Sequence, residues 1–148
     1  MTRTIFEAAG GMDAFLRLAD AWHHRCLADP IVSHAFSHGY HPQHSERLAA
    51  YWAEAFGGPA TYSQQISDES AVVRMHSGNG EHHEMDERAI ACFEAALADA
   101  ALPAEVRAPI AAYWRASIAR MSAYPRSAGE VPTGLPFVHW SWDGPCDS

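Results

Sequence analysis

Ten histidines fall among the 148 residues, and imidazole is the side chain best suited to hold a transition metal or move a proton near neutral pH. His44 precedes Leu48, Tyr51 and Trp52 by four, seven and eight residues, so a helix through this segment carries an imidazole on its apolar face. A ring N–H buried there needs a partner. Two roles stay open for it: a core-edge histidine bonded to a carbonyl, or a polar group aimed into a cavity. His23 adjoins Trp22 on the inward side of an earlier helix. His76 closes the apolar run from Ala71 and directly precedes Ser77-Gly78-Asn79-Gly80, so a turn presents its ring into a cavity. His38, His41 and His44 recur every three residues, a set that neutral imidazoles could offer to zinc, copper or nickel. Gly39 and Pro42 prevent a regular helical face there, which favours a solvated loop. His24, His34, His82, His83 and His139 stand at polar positions or in adjacent pairs and are expected at the surface.

The elements that must carry these side chains are helical. Phe15, Leu18, Ala19, Trp22 and Cys26 form one stripe, which Asp29-Pro30 interrupts because proline disfavours helical geometry in the residue before it. Ile31 to Phe36 reads as a short helical turn. A second helix is expected from about Gln43 to Phe56, ended by Gly57-Gly58-Pro59. Thr61 to Asp68 reads as a connecting loop, and Ala71 to His76 as one or two helical turns. Met85, Ala89, Cys92, Phe93, Ala96 and Ala100 make a further stripe closed by Pro103. Ile110, Tyr113, Trp114, Ser117, Ile118 and Met121 mark the last helix, with Tyr124-Pro125 beyond it. The expected division is a helical domain over residues 1–125 and an extension over 126–148, rich in Pro and Gly, with no regular structure assigned. Trp140 and Trp142 suggest that this extension docks, since bare indoles are costly in water.

Composition bounds the possible partners. A chain of this length builds one core without disulfide staples. Its formal net charge of −8, with no Lys/Arg cluster, argues against nucleic acid. Cys26, Cys92 and Cys146 are widely spaced and odd in number, so neither a disulfide framework nor a thiolate zinc site is indicated. The segment MTRTIFEAAGG has no continuous apolar stretch, and no run of 18 apolar residues exists anywhere. The expectation is a cytoplasmic protein with no membrane partner, a monomer or homodimer.

Periodicity yields helices with a few inward histidines and says nothing of a cofactor. Particular motifs add one. Phe6, Gly10-Gly11, Phe36, Glu46-Arg47-Leu48, Gly57-Gly58-Pro59, Tyr62-Ser63 and Arg74-Met75-His76, in this order, resemble a group II truncated haemoglobin over residues 5 to 122. The resemblance implies an all-α fold, a two-over-two helical sandwich around one haem b. It implies His76 as the proximal iron ligand and Phe36 as the ring stacked on the porphyrin. Tyr62 is implied as a propionate partner, and Arg74 as a base complementing propionate charge, although the family's arginine stands where this chain has Met75. Leu48, Met75 and Phe93 complete the implied cofactor contacts. His23 stands where a tyrosine is common, His44 where many members have a small residue, and Ala89 in place of a roofing tryptophan, so the pocket is expected to be roomier and richer in imidazole.

The implied function is reversible binding of O2, and of NO, CO or peroxide, with His44 and His23 as the distal catalytic or donor groups and Tyr51 adding a contact or lining the entry. A charge-assisted hydrogen bond of roughly 1.5–3 kcal/mol changes an off-rate more than tenfold. An unidentified reductase would serve as redox partner. The alternatives are a peroxidase-like oxidoreductase with a distal histidine as acid and base, a bis-histidyl electron-transfer or sensor globin, and a helical interaction module without haem.

Overall fold

The structure is a computed structural model that describes residues 3–37 and 39–146. Six α-helices account for most of them: α1 (Ile5–Ala9), α2 (Met12–Ala28), α3 (His44–Ala55), α4 (Glu69–Met75), α5 (His83–Asp99) and α6 (Ala104–Met121). Helix α2 packs on both α3 and α5, and α5 packs on α6, so the pair α2/α3 lies over the pair α5/α6. The stripe anticipated in α2 is the buried one: Phe15, Leu18, Ala19, Trp22 and Cys26 are all in the core. In α3 the continuous run from Ala49 to Ala55 is buried. Only its first turn, with His44, is partly open.

Helix ends follow from local chemistry. A capping box of Thr4 and Glu7 starts α1, and Gly10 at φ 115° stops it. Beyond α2, the Asp29 carboxylate accepts from the Ile31 and Val32 amides and from Arg88 of α5. That cluster launches a 3-10 turn, Val32–Phe36, and ties two helices together. The Gly57-Gly58 pair has a packing reason as well. A Cβ on Gly58 would come within 2.7 Å of the Phe6 ring and 2.8 Å of the Ala53 carbonyl, so the missing side chain lets α1 close on the end of α3. There Phe6, Phe15 and Phe56 stack at 5.9 and 5.8 Å.

Two segments are more ordered than the sequence pattern suggests. Residues 61–68 contain a π-helical turn, Tyr62–Ile66. It closes through Ser67 N–H to the Tyr62 carbonyl, and the buried Glu54 carboxylate accepts from the Ser63 amide and hydroxyl. A buried acceptor outside the segment holds a turn that local periodicity does not encode. The 126–148 extension likewise carries a 3-10 turn, Ala128–Glu130, and a hairpin of β1 (Trp140–Ser141) with β2 (Gly144–Pro145). Trp140 packs edge-on against Tyr113 of α6, and the Trp142 indole donates to the Arg3 carbonyl at 2.7 Å. Partners distant in sequence fix this stretch too.

Gly58→Ala is expected to lose about 1–3 kcal/mol of stability, the range for overpacking a close contact. Urea unfolding measures it, and an unchanged midpoint would show that α1 does not need this approach.

Candidate functional site

The inward histidines converge. His23 from α2 and His44 from the first turn of α3 have ring centroids 4.9 Å apart. Phe36, at the end of the 3-10 turn, lies 5.1 Å from His23 and 5.4 Å from His44. Tyr40 covers His23 at 4.6 Å. Trp22 lies behind, 6.5 Å from His44 and 5.1 Å from Trp114. Six buried side-chain nitrogen or oxygen atoms among the described residues have no hydrogen-bond partner, and four of them belong here: Trp22 Nε1, His23 Nδ1, His44 Nε2 and Trp114 Nε1. Buried polar atoms are almost always paired, so four orphans in one cluster mark a place where another molecule belongs.

Burial lowers the pKa of both imidazoles. For His44, the neighbouring His23, His41 and His76 add to the effect, whereas for His23 the Asp20 carboxylate partly opposes it. His44 is thus held neutral at neutral pH, with Nε2 uncommitted.

His76 follows α4 as its C-cap. Its Nδ1 lies 2.8 Å from the Val72 carbonyl. A carbonyl can only accept, so Nδ1 carries the proton and Nε2 presents a lone pair. The ring is exposed, and Met75 beside it is 69% exposed. Tyr40 and Met75 are two of the three large apolar residues standing open among the described residues. Tyr62 is buried, its pKa raised by that burial and opposed by Arg47 and Ser67 beside its hydroxyl. Arg74, in the last turn of α4, and Leu48 on α3 are half-buried.

The expected residues are not all gathered at one surface. Phe93 is fully buried, stacked on Trp114 at 4.3 Å and set edge-on to Trp52, so it supports the aromatic wall from within. Tyr51 does not add a contact beside the imidazoles. Its hydroxyl donates to buried Glu69 at 2.5 Å, and burial raises its pKa. The Glu69 carboxylate also lies 3.6 Å from Arg120, and this network committed Tyr51 where helical spacing alone could not. Among the surface histidines, His82 is half-buried and bonded to Asp86. His41 is exposed, with Nδ1 accepting from the Gln43 amide. His38 lies outside the described residues. Among those described, no group of three or more His, Cys, Asp or Glu side chains could hold a metal ion, and no helix is long and apolar enough to cross a membrane.

Arg47 and Tyr40 are the neighbours that sequence reasoning passed over. Arg47 stands in a quoted motif but received no role, and Tyr40 sits in a loop with no periodic signal. The described cavities lie elsewhere, one between the 126–148 extension and the N-terminal segment, the other between the extension and α4/α6.

The family model for bacterial-like globins matches residues 4–121. The chain belongs to that family. This globin is similar to the haemoglobin of Chloroflexus aurantiacus, at 27% identity and TM-score 0.71, over 82% of this chain and 98% of the other. It is similar to that of Thermobifida fusca, at 26% identity and TM-score 0.68, over 90% and 100%. The group II truncated haemoglobin of Bacillus anthracis shares the fold at 20% identity and TM-score 0.74, over 88% and 99%. No curated protein sequence matches. Membership makes the chain a haem-binding protein with the truncated globin fold. Its residues fit that group: a histidine whose Nδ1 is committed to a carbonyl, a cluster of orphaned polar atoms at His23 and His44, and the open side chains of Met75 and Tyr40 beside them.

The lowered imidazole pKa values have a signed consequence. As pH falls below the ordinary value near 6.5, the unfolded chain takes up protons that His44 and His23 refuse in the folded one, so stability drops. Urea unfolding of the haem-free protein at about pH 7.5 and about pH 5.5 is expected to show that drop, smaller in His44→Gln. Equal drops in the two proteins would remove His44 from the account.

Proposed function

We propose that this globin holds haem b through His76 and binds O2 reversibly, with CO, NO and peroxide competing for the same position. The observation that carries the proposal is the pair of inward imidazoles, His23 and His44, each with an unpartnered nitrogen, in a chain whose His76 has its Nδ1 already committed to Val72. Haem, when bound, would supply a ferrous iron able to take up a small diatomic ligand.

The chain's own residues do the rest. The Val72 carbonyl fixes the tautomer of His76 and orients its ring. Phe36 lies flank-on to both distal rings and limits how far either can swing. His44, neutral, can offer an N–H from one tautomer toward a ligand that gathers negative charge, and such a bond is worth roughly 1.5–3 kcal/mol. His23 stands behind as a second donor. Tyr62 with Arg47 beside it, and Arg74 in the last turn of α4, suit the acidic edge of the cofactor. A separate reductase would keep the iron ferrous.

The neutrality of His44 favours one second activity, turnover of peroxide. A neutral imidazole can take the proton from one peroxide oxygen and return it to the oxygen that leaves, while an external donor supplies the electrons.

Absorption spectra of the haem-loaded protein, ferric and dithionite-reduced, test the cofactor assignment. A Soret band is expected in the wild type and its shift or loss in His76→Gly, and an unaltered spectrum in the variant would assign the iron to another ligand. For the distal side, His44→Ala is expected to release O2 more than about tenfold faster. A wild-type off-rate would sink the donor role. Peroxide turnover equal to that of free haem would dismiss the second activity.

A further inference from the structure

Helix α4 is seven residues long, too short to hold itself, yet it must keep His76 in place. Much of what holds it comes from beyond α6. Ser70, 2% exposed in the first turn of α4, donates its hydroxyl to the Pro132 carbonyl at 2.8 Å and accepts from the Leu135 amide at 3.0 Å. The turn that follows His76 is held by the start of the same stretch: Gly78 N–H donates to the Tyr124 carbonyl at 3.0 Å and Gly80 N–H to the Pro125 carbonyl at 2.8 Å. Gly78 sits at φ 79°, where a Cβ would lie 3.3 Å from the Ala128 amide. The extension therefore touches α4 before His76 and the turn after it. It then passes to Tyr51, on which Phe137 packs at 5.1 Å, to Tyr113 through Trp140, and to Arg3 through Trp142.

We infer that the segment from Tyr124 to Trp142 is a strap that sets the position of the proximal histidine, with Ser70 as the positioning residue through which it acts. The inference rests on His76 as the iron ligand. The Ser70 hydroxyl bonds to Pro132 and Leu135 and not to His76. It fixes the helix on which His76 is the cap, so motion of the strap becomes motion of the imidazole. Two ordinary hydrogen bonds correspond to about a tenfold change in a local opening equilibrium.

The test uses the full-length haem-loaded protein and two variants, Ser70→Ala and Phe137→Ala. The first removes both bonds to the strap, and the second loosens the strap at Tyr51, which meets α4 only through the hydrogen bond to Glu69. Amide hydrogen exchange is expected to speed about tenfold at Val72 to His76 in Ser70→Ala, less in Phe137→Ala, and to stay unchanged in α2 and α6. The iron–histidine stretching band of the reduced protein is expected to shift or broaden in the same order. Exchange at the wild-type rate in α4 with an unmoved band in both variants overturns the inference, and so does equal acceleration in every helix. If the wild type has no iron–histidine band that depends on His76, the ligand assignment fails instead, and exchange in α4 alone decides the strap.

Discussion

A seven-residue helix has almost no stability of its own, because the cost of the first turn is not recovered over so few hydrogen bonds. Yet α4 ends on His76, and the ring keeps its angle and tautomer only if the helix beneath it is held. Other parts of the chain meet this requirement. Asp68 caps the first turn by accepting from the Ala71 amide. Val72 and Val73 bury their side chains in the body of the protein. The Val72 carbonyl accepts from the Nδ1–H of His76, and the Ser77 hydroxyl donates to the Val73 carbonyl. Ser70 is gripped by residues more than sixty positions away.

The distal side answers a different constraint. Imidazoles turned inward need either a hydrogen-bond partner or a ligand, and the aromatic wall of Trp22, Trp52, Phe93 and Trp114 offers no acceptors to spare. Two of those indoles are themselves unpartnered. A rigid stack of large rings keeps α2, α3, α5 and α6 in register and prevents collapse around the smaller polar ones. Burial then keeps His44 neutral, which preserves it as a donor or base. Further along α3, Tyr51 and Glu69 satisfy each other, with Arg120 nearby. Buried polarity is thus paired on one part of α3 and open on another, and the difference separates support from site.

Much of the fold was legible because its helices are long and their apolar stripes regular. The α2 stripe and the boundaries of α3 near Gln43 and Phe56 are written in local spacing, whereas the helical turns before His76 follow from the helices around them. His76 was marked as a candidate ligand by its place between an apolar run and a glycine turn together with the motif order around it. The π-helical turn at Tyr62 and the hairpin at Trp140 were not legible, since each is held by acceptors or rings far away in sequence. Phe93 illustrates the same limit: a stripe position says that a ring is inward, not which inward neighbour it meets.

The sequence by itself determined the helical class and the family, and singled out three histidines as candidates, because periodicity and motif order are local properties of the chain. Only the tertiary structure decided that His23 and His44 share one wall while their polar neighbour Tyr51 turns away to Glu69. It alone brought the 126–148 extension onto Ser70. Both outcomes depend on which buried donors find acceptors across the fold, a question of distances between helices that no spacing along one helix contains.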